Sequence, residues 1–325
     1  MQKLILAFVL FAFIACDDKP SGKILSASSG ALNNLTVVMP NDMWEGPVGE
    51  SIREKLAGPV NGLPQVEPMF AINQMPSEAF SGFMRKQRTF LKIEQADSAS
   101  IEVVNDEYAR PQTGILVKGP TESAIINIIQ QDSAKIVNTI KETEFTEKIR
   151  RVSLSLKEDK PLTDAFGITM KFPSAYRYAK DDEGFFWIRK DIPNGDMNIT
   201  VYEVPYSMID RDSNTIGSLI KMRDSIGGDN ITVSEGMRFI TEVAFAPYLS
   251  ETTIDGKPAY QMKGMWEVKG RYMAGPFVNF TVDDKENDRY LVLEGFVFKP
   301  SANKRDNIFE LESILRSVKF VDKTE

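Results

Sequence analysis

Two residue types that carry much of enzyme chemistry are absent or nearly so. The 325-residue chain contains no histidine and a single cysteine, Cys16. Without histidine, the chain alone forms neither a Ser-His-Asp triad nor a Cys-His pair, and histidine-dependent metal sites are excluded. A single cysteine also excludes an internal disulfide and a multi-thiolate metal site. The fold must therefore be held by its hydrophobic core, and no metal or other cofactor is expected.

Two classes of partner are disfavoured as well. The sequence has no G-x-x-x-x-G-K-[ST] and no G-x-G-x-x-G segment, whose backbone amides hold phosphates in nucleotide sites. Its formal net charge is −7, and no dense cluster of lysine and arginine is present. Nucleic acid is bound through concentrated positive charge, so neither nucleic acid nor a nucleotide is expected as a partner.

The start of the chain has the features of an export signal. A lysine precedes an apolar run over residues 4–15, which is too short to span a membrane, and the small residue Ala15 stands directly before Cys16. This ending resembles the lipobox of bacterial lipoproteins. The resemblance implies that residues 1–15 are a signal peptide that is cleaved off. It also implies that Cys16 carries the lipid that anchors the protein to a membrane of the cell envelope.

Composition divides the rest of the chain into three parts. Residues 16–33 are rich in Ser, Gly, Asp and Ala and lack a hydrophobic period, which is typical of a flexible tether. Residues 157–161 are charged and end in proline, which favours a domain boundary there. Since the length favours two domains, we expect an N-terminal domain over residues 34–157 and a C-terminal domain over residues 162–325.

Hydrophobic periodicity predicts an α+β fold in which each domain is a mainly antiparallel sheet with flanking helices. In the first domain, strands are predicted at residues 35–39, 90–93, 101–104 and 115–117. An isoleucine stripe follows Thr121, a favourable N-cap residue. It predicts a long helix, or two helices joined near Thr143, that covers the sheet.

The second domain is predicted to start with a meander of short strands separated by turns. A helix over residues 214–226 follows, with Gly227 and Gly228 expected to stop it as C-cap residues. More strands come next, and a last apolar-striped helix leads into a strand at residues 318–321.

Three short segments of this second half resemble the PsbP-like α/β sandwich: ITMKFPSAY at residues 168–176, FFW at 185–187 and ILRSVKF at 314–320. That resemblance implies an antiparallel sheet between helices, with the chain returning after the last helix as an edge strand. The whole chain also resembles an uncharacterised lipoprotein family of the Bacteroidota, through WEGPVGESIREKL at 44–56 and MAGPF at 273–277. Neither resemblance implies a catalytic activity.

Little catalytic chemistry is available to such a chain. Ser218 and Lys221 match the S-x-x-K of penicillin-binding enzymes, but they fall inside a predicted helix and neither S-D-N nor K-T-G follows. Paired carboxylates remain as a source of acid/base catalysis. Two acidic turns, which start at Asp181 and Asp283, lack the glycine and the spacing of a calcium loop, so solvated turns are expected. No catalytic residue and no metal site is assigned.

Aromatic side chains are the best binding candidates, although most strand aromatics are expected in the core. The candidates are Trp44, Trp187, Trp266, Tyr272 and Phe277. Exposed aromatics in the segments 44–49 and 273–277 would indicate a binding surface. Ser98 lies in a D-S-A triplet that resembles the O-glycosylation sequon of Bacteroidota envelope proteins.

Three functions are compatible with this sequence. The first is a non-catalytic lipoprotein that binds or supports an unknown envelope protein. The second is a glycan- or peptide-binding module, which requires one concave pocket with aromatic and polar side chains. The third is a histidine-free hydrolase, which requires two carboxylates in one cleft, one of them with a raised pKa.

Overall fold

The computed structural model of the chain describes residues 25–182, 184–231, 233 and 236–321. The predicted signal peptide, Cys16 and the first part of the tether lie outside the described residues. Within those residues, no helix is both long enough and apolar enough to cross a membrane.

The N-terminal domain combines one sheet with helices along one side of it. Its elements are β1 (Asn34–Val38), α1 (Asn41–Glu45), α2 (Pro47–Leu56), β2 (Ala71–Met75), β3 (Thr89–Gln95), β4 (Ser100–Asn105), β5 (Thr113–Gly119), α3 (Glu122–Gln131) and α4 (Ser133–Val152). The predicted strands near 35–39, 90–93, 101–104 and 115–117 are therefore confirmed. The two predicted helices meet at Asp132, not near Thr143.

Strand direction in this first sheet differs from the prediction. The order is β2-β1-β3-β5-β4, and the β1–β2, β1–β3 and β3–β5 pairs are parallel. Only β4 and β5, joined by a short connection, pair antiparallel. The chain between β1 and β2 forms α1 and α2, and a crossover of this kind returns the chain to run parallel. The expectation of a mainly antiparallel sheet was wrong for this domain.

The isoleucine stripe covers the sheet of its own domain. Thr121 caps α3 by accepting a 3.2 Å hydrogen bond from the backbone N–H of Ala124. Ile125 and Ile129 of α3 are buried together with Ile136 and Ile140 of α4, against the apolar residues of β1, β3 and β5. Burial of this stripe attaches the two helices to the sheet, since each Å² of apolar surface removed from water contributes about 25 cal/mol.

The C-terminal domain is a sandwich with helices on both faces of an antiparallel sheet. Its elements are α5 (Lys160–Phe166), β6 (Ile168–Thr169), β7 (Arg177–Asp182), β8 (Phe185–Ile192), β9 (Gly195–Val204), α6 (Thr215–Asn230), β10 (Arg238–Thr241), β11 (Tyr248–Ile254), β12 (Lys257–Lys269), β13 (Ala274–Asp284), β14 (Arg289–Phe298), α7 (Arg305–Arg316) and β15 (Lys319–Phe320). The order is β10-β12-β13-β14-β9-β8-β7, and β11 also pairs with β12. The α+β class of the chain is thus confirmed.

Two apolar cores lie on opposite faces of this second sheet. Helices α5 and α7 pack on one face through residues such as Phe166, Leu311 and Leu315. Helix α6 packs on the other face through Leu219 and Met222. The last strand departs from the PsbP-like expectation, because β15 pairs with β6 in a separate two-stranded sheet and is not an edge of the main one.

Helix α6 runs through the two glycines that were expected to stop it. It ends at Asn230, and Gly227 and Gly228 lie inside its last turns. A Cβ atom on Gly227 would lie 3.1 Å from the Phe239 ring, and one on Gly228 would lie 2.6 Å from the Arg238 guanidinium. The glycines therefore allow α6 to approach β10 closely, a tertiary role that the local pattern does not reveal.

Helix α7 joins the two domains. The Glu67 carboxylate, which is 5 % exposed, accepts hydrogen bonds of 2.7 and 3.0 Å from the backbone N–H groups of Lys304 and Arg305. These N–H groups lie at the start of α7, where the helix itself offers them no partner. Further along α7, the Phe309 ring stacks on Phe145 of α4 with 4.8 Å between ring centroids.

One ion pair is fully buried in the N-terminal domain. Arg88 donates two hydrogen bonds, of 2.8 and 3.0 Å, to the Glu144 carboxylate of α4. The side chains are 1 % and 0 % exposed. Arg88 also donates to the backbone carbonyls of Gly30 and Ala31, and Glu144 accepts from the N–H of Asn33. This pair therefore fixes the segment before β1 against β3 and α4.

We predict that Glu144→Gln lowers the free energy of unfolding by about 3 kcal/mol, because it leaves the Arg88 charge buried without its counter-ion. Chemical denaturation of the full chain measures this change. Glu94→Gln is the matched control, since Glu94 pairs with Lys92 at 2.6 Å in a partly exposed position and such surface pairs contribute about 0.5 kcal/mol. Equal losses in the two variants would contradict the prediction.

We also predict that Glu67→Ala destabilises the docking of α7 by about 2 kcal/mol, because two backbone N–H groups lose their acceptor. Hydrogen exchange of the first turn of α7 is the direct measurement, and protection should fall there first. Glu78→Ala, at an exposed position, should leave that protection unchanged. Unaltered exchange in Glu67→Ala would rule out the proposed capping role.

Candidate functional site

A cleft of the C-terminal domain lies where β9 and β13 end and β14 begins. Two adjoining cavities, with volumes of about 580 and 170 Å³, share Arg211 and Asp283 in their walls. We call this site the tyrosine cleft and define it by Tyr206, Arg211, Tyr260, Asp283 and Tyr290. Its combined size is in the range of small-molecule sites.

The sheet register brings these side chains together. Asp283 near the end of β13 lies opposite Tyr290 near the start of β14, and Tyr290 lies opposite Val204 at the end of β9. Pro205 then ends β9, and a 3-10 turn over Tyr206–Met208 places Tyr206 beside this pair. Arg211 follows in the segment that leads to α6. Backbone pairing therefore fixes two walls of the cleft, and a connecting segment closes it.

A hydrogen-bonded network holds the polar groups in place. Tyr206 Oη donates a 2.5 Å hydrogen bond to Asp283 Oδ1, and Arg211 Nη2 donates one of 2.8 Å to Asp283 Oδ2. Arg211 Nε donates to Tyr290 Oη. The Arg211 guanidinium also lies over the Tyr206 and Tyr290 rings, 5.5 and 5.1 Å from their centroids. These contacts leave the arginine little conformational freedom.

Electrostatics fix the protonation states in the cleft. Burial alone would raise the pKa of Asp283, but the hydrogen bonds from Tyr206 and Arg211 outweigh it, and the pKa is lowered. Burial and the neighbouring Asp283 raise the pKa of Tyr206, and burial raises that of Tyr290. At neutral pH the cleft therefore presents an ionised carboxylate, a guanidinium and neutral phenols.

The charges that line the cleft are predominantly negative. Arg211 and Lys285 supply two positive charges, while Asp210, Asp212, Asp283 and Glu251 supply four negative ones. These carboxylates do not converge on a cation site, and no group of three metal-ligating side chains occurs among the described residues.

Asp283 departs from the solvated turn that was expected. It is 6 % exposed and Asp284 is 0 % exposed, because β13 continues through both residues and is covered on both faces. The adjacent Asp284 is paired with Arg289 at 2.8 Å and with Lys257 at 3.2 Å. A carboxylate on a strand that is buried on both faces needs a buried partner. An acidic residue at the end of such an apolar strand is therefore the sequence signal that would have pointed to Asp283.

The predicted aromatic candidates do not share one surface. Trp266 and Phe277 are 2 % and 1 % exposed and belong to the core under α6. Trp187 packs partly against the same core and donates to Asn198 Oδ1 at 2.9 Å. Trp44 lies on the N-terminal domain, and the Arg53 guanidinium lies over it, 4.6 Å from the centroid of the Trp44 ring. Of the five candidates, only Tyr272 is fully exposed.

The two segments expected to carry exposed loops are largely regular structure. Residues 44–49 span the junction of α1 and α2, and residues 274–277 open β13. Gly49 lies so close to the carbonyl of Trp44 that a Cβ would approach its oxygen to 1.9 Å. Ser98 is exposed in the turn between β3 and β4, as its predicted modification requires.

The serine–lysine motif has no catalytic geometry. Ser218 Oγ accepts from the N–H of Asp210 and donates to the carbonyl of Thr215, so its hydroxyl is engaged with the backbone around the start of α6. Lys221 is exposed on the same helix. The hydroxyl therefore stabilises the entry into α6.

A pair of carboxyl groups converges elsewhere in the domain, outside the tyrosine cleft. Burial and the nearby Glu242 carboxylate raise the pKa of Glu267. Glu242 directly follows β10, and Glu267 lies on β12 opposite Ile240. Neither residue lines the tyrosine cleft. The raised pKa and the cleft therefore occur at different places in the domain.

Comparisons with known proteins match both halves of the chain. One family model, the domain of unknown function DUF4837, matches residues 155–317, and a second, the domain of unknown function DUF8532, matches residues 28–153. None of the curated proteins compared with the chain matches it.

Solved structures give only distant likenesses. The Ran-binding protein Mog1p of Saccharomyces cerevisiae is 12 % identical with a TM-score of 0.32, over 48 % of this chain and 91 % of that one. LpqN of Mycobacterium tuberculosis, described as involved in cell envelope biogenesis, is 12 % identical with a TM-score of 0.30, over 48 % of this chain and 83 % of that one. Scores this low carry no argument about function. The match of the first family model to half of the chain shows that the protein belongs to the DUF4837 family of unknown function.

Proposed function

We propose that the protein is a lipid-anchored, non-catalytic binding module of the cell envelope, and that its tyrosine cleft holds a neutral glycan. The cleft is the observation that carries this proposal. Tyr206 and Tyr260 are partly exposed there; Arg211 lies over the Tyr206 ring, and the Tyr260 ring offers an apolar face with a polar hydroxyl tip. Arg211 and Asp283 hold donors and acceptors in fixed directions beside them.

The charge of the cleft favours a neutral ligand. Four carboxylates against two cations repel phosphate and carboxylate groups. Sugar hydroxyl groups both donate and accept hydrogen bonds, so they match a site that offers phenols, a guanidinium and a carboxylate. A neutral sugar ring therefore fits both the shape and the polarity of this cleft.

A peptide is the second candidate, because the cleft adjoins an open sheet edge. Glu251 and Thr252 line it and belong to β11, which pairs with β12 on one side only. An extended peptide can add to such an edge through backbone hydrogen bonds. The exposed charge of Glu251 disfavours this reading, since charged side chains on an edge strand oppose strand addition.

Hydrolysis is disfavoured by the state of Asp283. A glycosidase needs one protonated carboxylic acid beside its base or nucleophile. Asp283 is held ionised by Tyr206 and Arg211, and both of its oxygens accept hydrogen bonds. The carboxyl with the raised pKa, Glu267, lies outside the cleft. The geometry of the cleft therefore favours ligand binding over hydrolysis.

Tyr260→Ala tests the glycan site, because it removes a stacking face without touching the Asp283 network. We expect the full chain to bind members of an array of neutral oligosaccharides, and the variant to bind them about tenfold more weakly. Tyr272→Ala is the matched control, since Tyr272 is fully exposed and does not line the cleft. Binding that is lost in Tyr272→Ala and kept in Tyr260→Ala would refute the cleft, and so would the absence of any bound glycan.

Cys16→Ala tests the anchor. If the lipid is attached there, the variant should incorporate no labelled palmitate and should leave the membrane fraction, because each buried methylene of a lipid chain contributes about 0.8 kcal/mol. Ser21→Ala, a substitution of similar size nearby, should incorporate palmitate like the parent protein. Membrane attachment of Cys16→Ala at the level of the parent would exclude the proposed anchor.

A further inference from the structure

Apart from the tyrosine cleft, a separate cavity of about 560 Å³ lies between the two domains. Its walls come from α4 on one side and from α7, β11 and the segments beside β6 and β15 on the other. Lys171, Arg316 and Lys319 line it together with one carboxylate, Glu142. We call this cavity the basic groove. Its charge is opposite in sign to that of the tyrosine cleft and to that of the chain as a whole.

A buried carboxylate next to the groove is surrounded by cations. Glu312 of α7 pairs with Lys263 at 2.7 Å and with Arg316 at 3.2 Å. Burial alone would raise its pKa, but Lys263, Arg316 and Lys141 outweigh burial and lower the pKa of Glu312 to about 2. One negative charge is therefore shared by three positive ones.

Lys141 is the cation of this group that makes no direct ion pair, although the Glu312 carboxylate attracts it. It is partly buried on α4, one turn before Phe145, and it makes no hydrogen bond and no ion pair with the residues that the structure describes. Burial and the neighbouring Lys263 and Arg316 lower its pKa, and the attraction of Glu312 offsets only part of that effect. A further negative charge nearby would therefore stabilise the charged form of Lys141.

The groove wall supplies another cation without a partner. Lys171 is exposed, and its ammonium makes no hydrogen bond or ion pair with described residues, although its backbone N–H donates to Ser317 Oγ at 3.0 Å. Lys319, by contrast, is paired with Asp255 at 2.7 Å. The excess positive charge is therefore concentrated around Lys141, Lys171 and Arg316.

We propose that the basic groove binds a small organic anion, whose phosphate or carboxylate group lies between Lys171 and Arg316 and offsets the charge of Lys141. Arg316 directs its Nε and Nη2 groups to Glu312, so it contributes its positive charge and its remaining N–H donors to either group. Ile149, which is partly exposed, adds apolar surface in the same wall for the rest of the molecule. The volume fits a small molecule, which favours this ligand class over a macromolecule.

Calorimetric titration of the full chain at low ionic strength tests this site. The probes are inorganic phosphate, glucose 1-phosphate and glucuronate, with glucose as the neutral control. We expect saturable binding of at least one anion, weakened by added salt. Preference for glucose 1-phosphate over glucuronate would identify the group as a phosphate, and the reverse preference would identify a carboxylate. If none of the three anions binds, the proposal is wrong.

Lys171→Gln and Lys141→Met should each raise the Kd of the bound anion by about tenfold, since each removes a charge-assisted contact or a nearby charge. Lys135→Met is the matched control, because it removes the same charge from an exposed position of the same helix. It should change the Kd by less than about twofold. Equal weakening in all three variants would indicate only a long-range effect of net charge and would overturn the site.

Denaturation without ligand separates binding from folding. Lys141→Met should be at least as stable as the parent, because it removes a cation that Lys263 and Arg316 repel. A loss of stability with an unchanged Kd would assign Lys141 a structural role and overturn its part in binding. Neither lysine lines the tyrosine cleft, so these results do not bear on the proposed glycan site.

Discussion

The position of α7 is the constraint on which the rest of the structure depends. One face of the helix packs on the C-terminal sheet through Ile308, Leu311 and Leu315. Its first turn is capped by Glu67 of the other domain, and Glu310 accepts hydrogen bonds from Lys148, Lys190 and Tyr176. Because α7 is enclosed on both sides, its polar residues had to acquire buried partners.

That enclosure explains the unusual charge distribution between the domains. An ionised carboxylate such as Glu312 costs free energy when it is buried, so cations from α4, α7 and β12 gather around it. The same requirement produces the Arg88–Glu144 pair in the first domain and the Arg223–Glu294 pair beneath α6. Replacing such a pair with apolar residues of equal volume is often neutral or stabilising, whereas removing one partner leaves a buried charge uncompensated.

The sequence predicts the features that depend on local periodicity. The isoleucine stripe, the Thr121 cap and the antiparallel strands of the second domain follow from spacing, because one buried face per element imposes a period of 3.6 or 2 residues. Strand direction in the first sheet does not follow, since it is set by how α1 and α2 return the chain. The role of Gly227 also escapes prediction, because it depends on Phe239, a residue outside the helix.

The tyrosine cleft was missed for a related reason. Asp283, Tyr290 and Tyr206 are spread over 85 positions of the chain, and only the register of three strands brings them together. Pattern reasoning placed Asp283 in a turn because acidic residues cluster after it, whereas the strand continues through Asp284. Conversely, Trp266 was a binding candidate because its ring is large and apolar, and the same property places it in the hydrophobic core.

The sharing of α7 also has a consequence for the order in which the protein forms. A chain emerges from the ribosome from its N-terminus, and domains generally fold as units in that order. Glu67 and Phe145 therefore lack their contacts with α7 until that helix is synthesised, more than 150 residues after Phe145. Until residues 305–316 are synthesised, that flank of the first domain exposes the apolar Phe145 ring. The Glu67 carboxylate also lacks the two backbone N–H groups that donate to it in the folded protein.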